Sequence, residues 1–144
     1  MARGDLTLFE EFAANLGAEN FIFASDDINV ALFTTSRAFA ADDASPVYSV
    51  TNEVSGTGYD AGGATIASTT YIEAGGVATL AGTAVTWSQN ASGFTGAVSA
   101  LIYDADQASD MAIGWVDLGS AVSQQDGDVT ISWSGSGIFT VTVS

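Results

Sequence analysis

From Ile28 onward, apolar and polar residues follow a period of two, broken at short intervals by Gly, Asp and Ser. Ile28, Val30 and Leu32 alternate with Asn29, Ala31 and Phe33, which predicts a strand. Further strands are expected at Val47–Val54, Thr65–Ile72, Val77–Leu80, Ala84–Ser88, Phe94–Tyr103, Met111–Leu118, Val129–Trp133 and Ile138–Val143. The run Phe94–Tyr103 is apolar on both faces, the pattern of a central strand covered on both sides. Gly75-Gly76, Gly119 and Asp126-Gly127 read as stops and turns. Ser134-Gly135-Ser136-Gly137 is short enough to make a hairpin of the last two strands. Eight to nine short strands at this spacing predict a mainly β fold, an antiparallel β-sandwich or barrel.

Ahead of the strands the period changes. Leu6, Phe9, Phe12, Ala13 and Leu16 recur at helical spacing. Thr7 and Glu10 fit a capping box with Thr7 as N-cap. Asp5, Glu10 and Glu11 complement the helix dipole, and Gly17 marks an end. A short α-helix over residues 6–16 follows, inside an N-terminal arm of residues 1–20. The rest of residues 1–144 reads as the same single β-rich domain, with no linker. The stripe Leu6, Phe9, Phe12 and Leu16 either packs on that domain or docks on a partner. Packing is favoured, because an isolated helix of this length is marginal in water.

Between the second and third strands lies Asn52-Glu53-Val54-Ser55-Gly56-Thr57-Gly58-Tyr59-Asp60-Ala61-Gly62-Gly63. Gly56, Gly58, Gly62 and Gly63 surround one aromatic ring, Tyr59. A phosphate-binding loop would need a following helix and a lysine. Here a β-branched run follows, and the chain has no lysine. A structural corner between strands is the reading that fits.

Composition narrows the function classes. The chain has 144 residues, 47% of them hydrophobic and 13% charged, enough apolar matter for one core. No apolar run approaches the ~18 residues that span a membrane. The N-terminus lacks the basic start and unbroken apolar core of a secretory signal, so synthesis and folding in a cytoplasm are expected. Seventeen acids oppose two cations, Arg3 and Arg37, for a formal charge of -15. That balance opposes nucleic acid and anionic membranes and suits solubility in salty water.

Cysteine and histidine are both absent. Thiolate chemistry goes with the first, and the commonest general base and zinc ligand with the second. The serines and threonines have no histidine or lysine to activate them. Asp104, Asp106 and Asp110 share one loop and are weak calcium candidates; Asp126 and Asp128 share another. Turn acids held for backbone reasons are the plainer account of both. Asp117 sits on the alternation of Met111, Ile113 and Trp115, so it is either half-buried beside Gly119, with a hydrogen-bond partner or a shifted proton affinity, or on a strand that has already emerged into solvent. Trp87, Trp115 and Trp133 fall at inward positions and read as core.

The order of these pieces resembles a family of tailed-phage structural proteins, the virion or head-decoration-like proteins. The matching residues are Val30-Ala31-Leu32 after the short helix, Tyr48–Asn52, and then Asn52-Glu53-Val54-Ser55-Gly56-Thr57-Gly58-Tyr59 with Gly62-Gly63. They continue with Val85-Thr86-Trp87, Ala100-Leu101-Ile102-Tyr103, Ile113–Gly119, Gly127–Trp133 and Gly137-Ile138. The Asn52–Tyr59 block is the specific one; the others count through their order. The chain departs from the pattern in its missing lysines and its excess alanine. The resemblance implies a non-enzymatic virion protein without cofactors. The expected role is a head decoration, or cement, protein that bridges major capsid protein subunits on the outer shell. A closed homo-oligomer, a trimer, is the expected symmetry. The alternatives are a tail or fibre component, or a calcium-dependent carbohydrate-binding module.

Overall fold

The computed structural model describes residues 6–18, 20–35 and 37–143. Arg3 and Asp5 therefore lie outside the described residues. The fold is mainly β, antiparallel, with one short helix. Its elements are β1 (Thr7–Leu8), α1 (Glu10–Gly17), β2 (Ile28–Phe33), β3 (Ala64–Thr65), β4 (Thr70–Ala74), β5 (Val77–Ala81), β6 (Val85–Trp87), β7 (Ala97–Asp104), β8 (Ala112–Val122), β9 (Val129–Ile131) and β10 (Phe139–Thr142).

The central sheet runs β1-β8-β7-β2-β3. Its strands β2 and β7 are buried on both faces, in keeping with their mostly apolar sequences. On one face Ile28, Val30, Leu32, Ala100 and Ile102 meet Leu80 of β5, Phe139 of β10, Trp87 of β6 and Ile131 of β9. The covering strands form two small sheets, β10-β5-β4 and β6-β9. On the opposite face Ala31, Phe33, Leu101 and Tyr103 are covered by Phe9, Phe39, Tyr48 and Trp115. The arrangement is sandwich-like, with a second, aromatic cover made mostly from a loop.

Several expectations are corrected. First, Thr7 does not cap the helix. Thr7 and Leu8 pair with Trp115 and Gly114 of β8, and the cap position falls to Phe9, whose extended backbone makes no side-chain cap bond. The close pairing needs Gly114, because a Cβ there would crowd the Thr7 carbonyl. Phe9 and Phe12 then bury on opposite faces of the sheet, since the β1–α1 segment wraps its edge.

Second, residues 47–54 are not a strand. Only single bridges form, Val47 to Met111 and Phe33 to Glu53. Tyr48 stacks on Tyr103 at 4.7 Å instead, and Asn52 turns the chain at φ 65°.

Third, the last two strands do not form a hairpin. β9 pairs with β6 and β10 pairs with β5. Ile138 N–H donates to the Leu80 carbonyl, and the Trp133 indole donates to the Thr83 carbonyl, so the chain crosses from one small sheet to the other.

Fourth, Gly119 does not stop β8, which continues to Val122 with Gly119 at φ 76°. A register shift near Gly114 also breaks the alternation, so Ile113 enters the large core while Trp115 lies over the second face. The run 65–72 is likewise split into β3 and β4 by a turn at Ser68, φ 54°. Among the described residues there are ten strands where eight or nine were expected, two of them only two residues long.

Candidate functional site

The glycine-rich segment is a corner, and its centre is a carboxylate. Glu53 Oε2 accepts from the Tyr48 hydroxyl at 2.6 Å. Its Oε1 accepts from the Tyr59 hydroxyl at 2.7 Å and from Gly62 N–H at 2.9 Å. The Tyr59 oxygen in turn accepts from the buried Leu32 N–H at 2.8 Å. Tyr103 donates to the Gly62 carbonyl at 2.8 Å. One carboxylate thus ties the corner, the Tyr48 loop and the central sheet together. Burial, reinforced by the Glu53 carboxylate, pushes the Tyr48 and Tyr59 hydroxyls well above the ordinary phenol range, so both stay protonated donors.

The glycines serve this geometry. Gly58, Gly62 and Gly63 have positive φ. A Cβ on Gly63 would overlap the Val30 carbonyl, and one on Gly56 would overlap the backbone of Gly93 and Phe94. The backbone of the corner therefore lies directly on β2 and on the segment before β7. The Tyr59 ring is buried between Trp87 and Phe94.

Two acids of the acidic loop are engaged by backbone N–H groups. Asp104 is fully buried, and its Oδ1 accepts from Asp106 N–H at 3.0 Å. Asp106 Oδ2 accepts from Asp27 N–H at 2.7 Å. Asp110 turns the chain at φ 48°. Among the described residues, no group of three or more Asp or Glu side chains is placed to hold a metal ion. Asp104, Asp106 and Asp110 are thus neighbours in sequence that the fold does not gather into a ligand set. Asp128 likewise accepts from Gln89 N–H at 2.7 Å.

Sequence reading missed the true neighbour of Asp104, which is Asp26. Asp26 Oδ2 accepts from Ile22 N–H at 2.7 Å, and Asp26 is buried too. Burial, and then the adjacent Asp26 carboxyl, push Asp104 up to about 7. Its Oδ2 is buried without a hydrogen-bond partner.

Of the arm residues singled out as partner contacts, Phe9 and Phe12 are 2% and 4% exposed, and Leu6 and Leu16 pack half-buried against the main core. The packing alternative therefore describes all four. The large apolar side chains that are exposed lie elsewhere: Ile22, Val50, Ile72 and Val143. Two of them, Ile72 on β4 and Val143 just past β10, belong to the outer three-stranded sheet.

Asp117 is half-buried, the first of the two alternatives, and its Oδ1 accepts from Gly119 N–H at 2.7 Å. It lies opposite Ser99 of β7 in the ladder, and Ser99 lies opposite Phe33 of β2. Arg37 covers this row: its guanidinium stands 5.4 Å from the Phe33 ring and 5.0 Å from the Phe39 ring. Nothing in the spacing announced the cluster, because it depends on the β7–β8 register.

Comparisons of the chain with models of known protein families, with curated proteins and with solved structures return no match.

Proposed function

We propose that this chain is a non-enzymatic structural protein of a tailed-phage virion. Its role is that of a head decoration protein, seated on the outer capsid surface and bridging major capsid protein subunits. Its place is the virion, after synthesis in the host cytoplasm, and closed trimers are the expected assembly unit.

What supports the reading is the destination of the polar atoms in the block that carries the phage resemblance. Glu53, Tyr59 and Gly62 direct them inward, at one another and at β2. That block builds a rigid joint, where a binding or catalytic loop would leave such groups facing a cleft. A stiff domain loses little conformational entropy on docking. Its many copies stabilise a shell by mass action, each gaining through neighbouring contacts. With the arm turned inward, docking falls to the outer sheet, where Ile72 and Val143 are 62% and 80% exposed. β4 is also the outermost strand of that sheet, an edge open to pairing with a partner strand.

The test is location. Gold-labelled antibody against the chain, applied to purified particles, should decorate heads. Label confined to tails or fibres, or particles without label, would overturn the proposal.

A further inference from the structure

β8 and β9 follow one another in the chain, yet they do not pair. Between them runs an open groove of about 590 Å³. One wall is apolar, made by Val116, Leu118 and Val122 of β8; the other is β9 itself, continued through Ser132. A second depression of about 350 Å³ shares Val116, Ile131 and Ser132 with it and carries the groove on past Leu6, Leu8 and Trp133. Val116, Val122 and Trp133 pack on the main core but are only half-buried, so apolar surface is left facing the channel. The backbone beside the groove is open as well. Among the described residues, β9 pairs with β6 on one side and with no strand on the other. The outer side of β8 is paired only at Gly114 and Trp115, by β1, and Leu6 lies outside that ladder. A two-stranded sheet is the least self-sufficient kind, and its free edge is a template for another strand.

We propose that this groove receives an extended, basic segment of a partner protein, which adds as a third strand to the free edge of β9. Three features select that occupant. The consecutive residues Val129, Thr130, Ile131 and Ser132 all line the groove, so what they offer along it is a strand edge. An extended chain can bond to such an edge, whereas a helix has already satisfied its own backbone. The side chains of β9 alternate, with Val129 and Ile131 buried and Thr130 exposed. An added strand shares that alternation, so every second side chain lies toward Val116, Leu118 and Val122. Charge then narrows the partner. Asp126 and Asp128 stand exposed at one end of the groove, and among the described residues no Arg lines it. The inserted segment therefore carries a lysine or arginine at that end. A second copy of this chain is a weak source, since it has two cations and a formal charge of -15. This surface is separate from the β4 edge, and the inference holds wherever the chain resides.

The experiment is a two-dimensional 1H–15N NMR titration of the full chain with the end-capped peptide Lys-Val-Thr-Val-Thr-Val-Thr. Amides within Val129–Ser132 should shift and exchange more slowly with solvent, while those of Thr70–Ala74 in β4 stay in place. Replacing the peptide's lysine by glutamate should weaken binding about fivefold or more, because attraction to Asp126 and Asp128 becomes repulsion. Replacing its middle valine by proline removes a ladder donor and should abolish binding. Asp126→Asn, at an exposed position, should weaken binding by about two- to fivefold at an unchanged melting temperature. The proposal fails if no amide of Val129–Ser132 moves, or if the glutamate and proline peptides bind as well as the first. Shifts confined to β4 would overturn it too, while leaving the virion reading untouched. Binding seen only after removal of residues 1–5 would assign the groove to those residues and overturn it equally.

Discussion

Removing the Glu53 side chain is the sharpest perturbation of the corner. In Glu53→Ala three donors lose one carboxylate: the Tyr48 hydroxyl, the Tyr59 hydroxyl and Gly62 N–H. Hydrogen bonds to charged groups contribute ~1.5–3 kcal/mol each. Tyr48 is half-buried and can turn toward water, so its loss counts least. Tyr59 is 7% exposed and pinned by Leu32 N–H, so its hydroxyl cannot follow. One buried donor, the half-buried Gly62 N–H and a discounted third give a cost of ~2–4 kcal/mol. That is a large share of the ~5–15 kcal/mol that holds an ordinary domain together. Glu53→Gln keeps one acceptor oxygen for Tyr59 and Gly62 and should cost ~1–2 kcal/mol. Urea denaturation followed by tryptophan fluorescence measures both through the midpoint, with the slope checked for constancy. Asp42→Ala, on an exposed acid, is the control and should fall within ~0.5 kcal/mol of wild type. A Glu53→Ala cost no greater than that control would refute the reasoning, since the corner would then be held by its glycines and rings alone.

Three further outcomes follow from the same geometry. Gly63→Ala places a Cβ on the Val30 carbonyl at φ 77° and should destabilise by ~3 kcal/mol or more, read in the same urea assay. Asp104 holds its proton up to about 7, whereas the unfolded carboxyl releases it near ~3.9. The folded state therefore binds the extra proton between these values, and this site's contribution is largest below ~4 and is lost as pH rises through about 7. Asp104→Asn mimics the protonated form, so thermal melts should show it ~1–3 kcal/mol more stable than wild type at pH 8, with the two converging toward pH 4. A constant difference across that range would count against the buried Asp26–Asp104 pair. Calcium and a chelator should give the same melting temperature, because backbone N–H groups already occupy Asp104 Oδ1 and Asp106 Oδ2; a rise of several degrees with calcium would contradict this.

What the sequence made legible was local. The run Phe94–Tyr103, apolar on both faces, announced a central strand, because such a strand needs cover on both sides. The glycines between residues 56 and 63 announced a corner, because their φ values and close backbone approaches admit little else. What stayed hidden was set by pairing at a distance. Val47–Val54 alternates like a strand, yet it makes only single bridges, and Tyr48 stacks on the distant Tyr103. β9 and β10 are joined by a hairpin-like turn, yet each finds its partner earlier in the chain. Glu53 could not be read as a hub, since its donors come from three separated positions. Asp104 was legible as an acid in a turn but not as the neighbour of Asp26, 78 residues away by their numbers. Ser99 meets Asp117 only through the β7–β8 register, which a bulge shifts twice.

The central claim is that this rigid acidic β-domain is held in place among other proteins of a virion. A cryo-electron reconstruction of the intact particle tests it most directly. The account predicts density for the two-faced central sheet and its outer three-stranded sheet, repeated over the external capsid surface. The same density on the tail, or a particle fully explained without this chain, would contradict it.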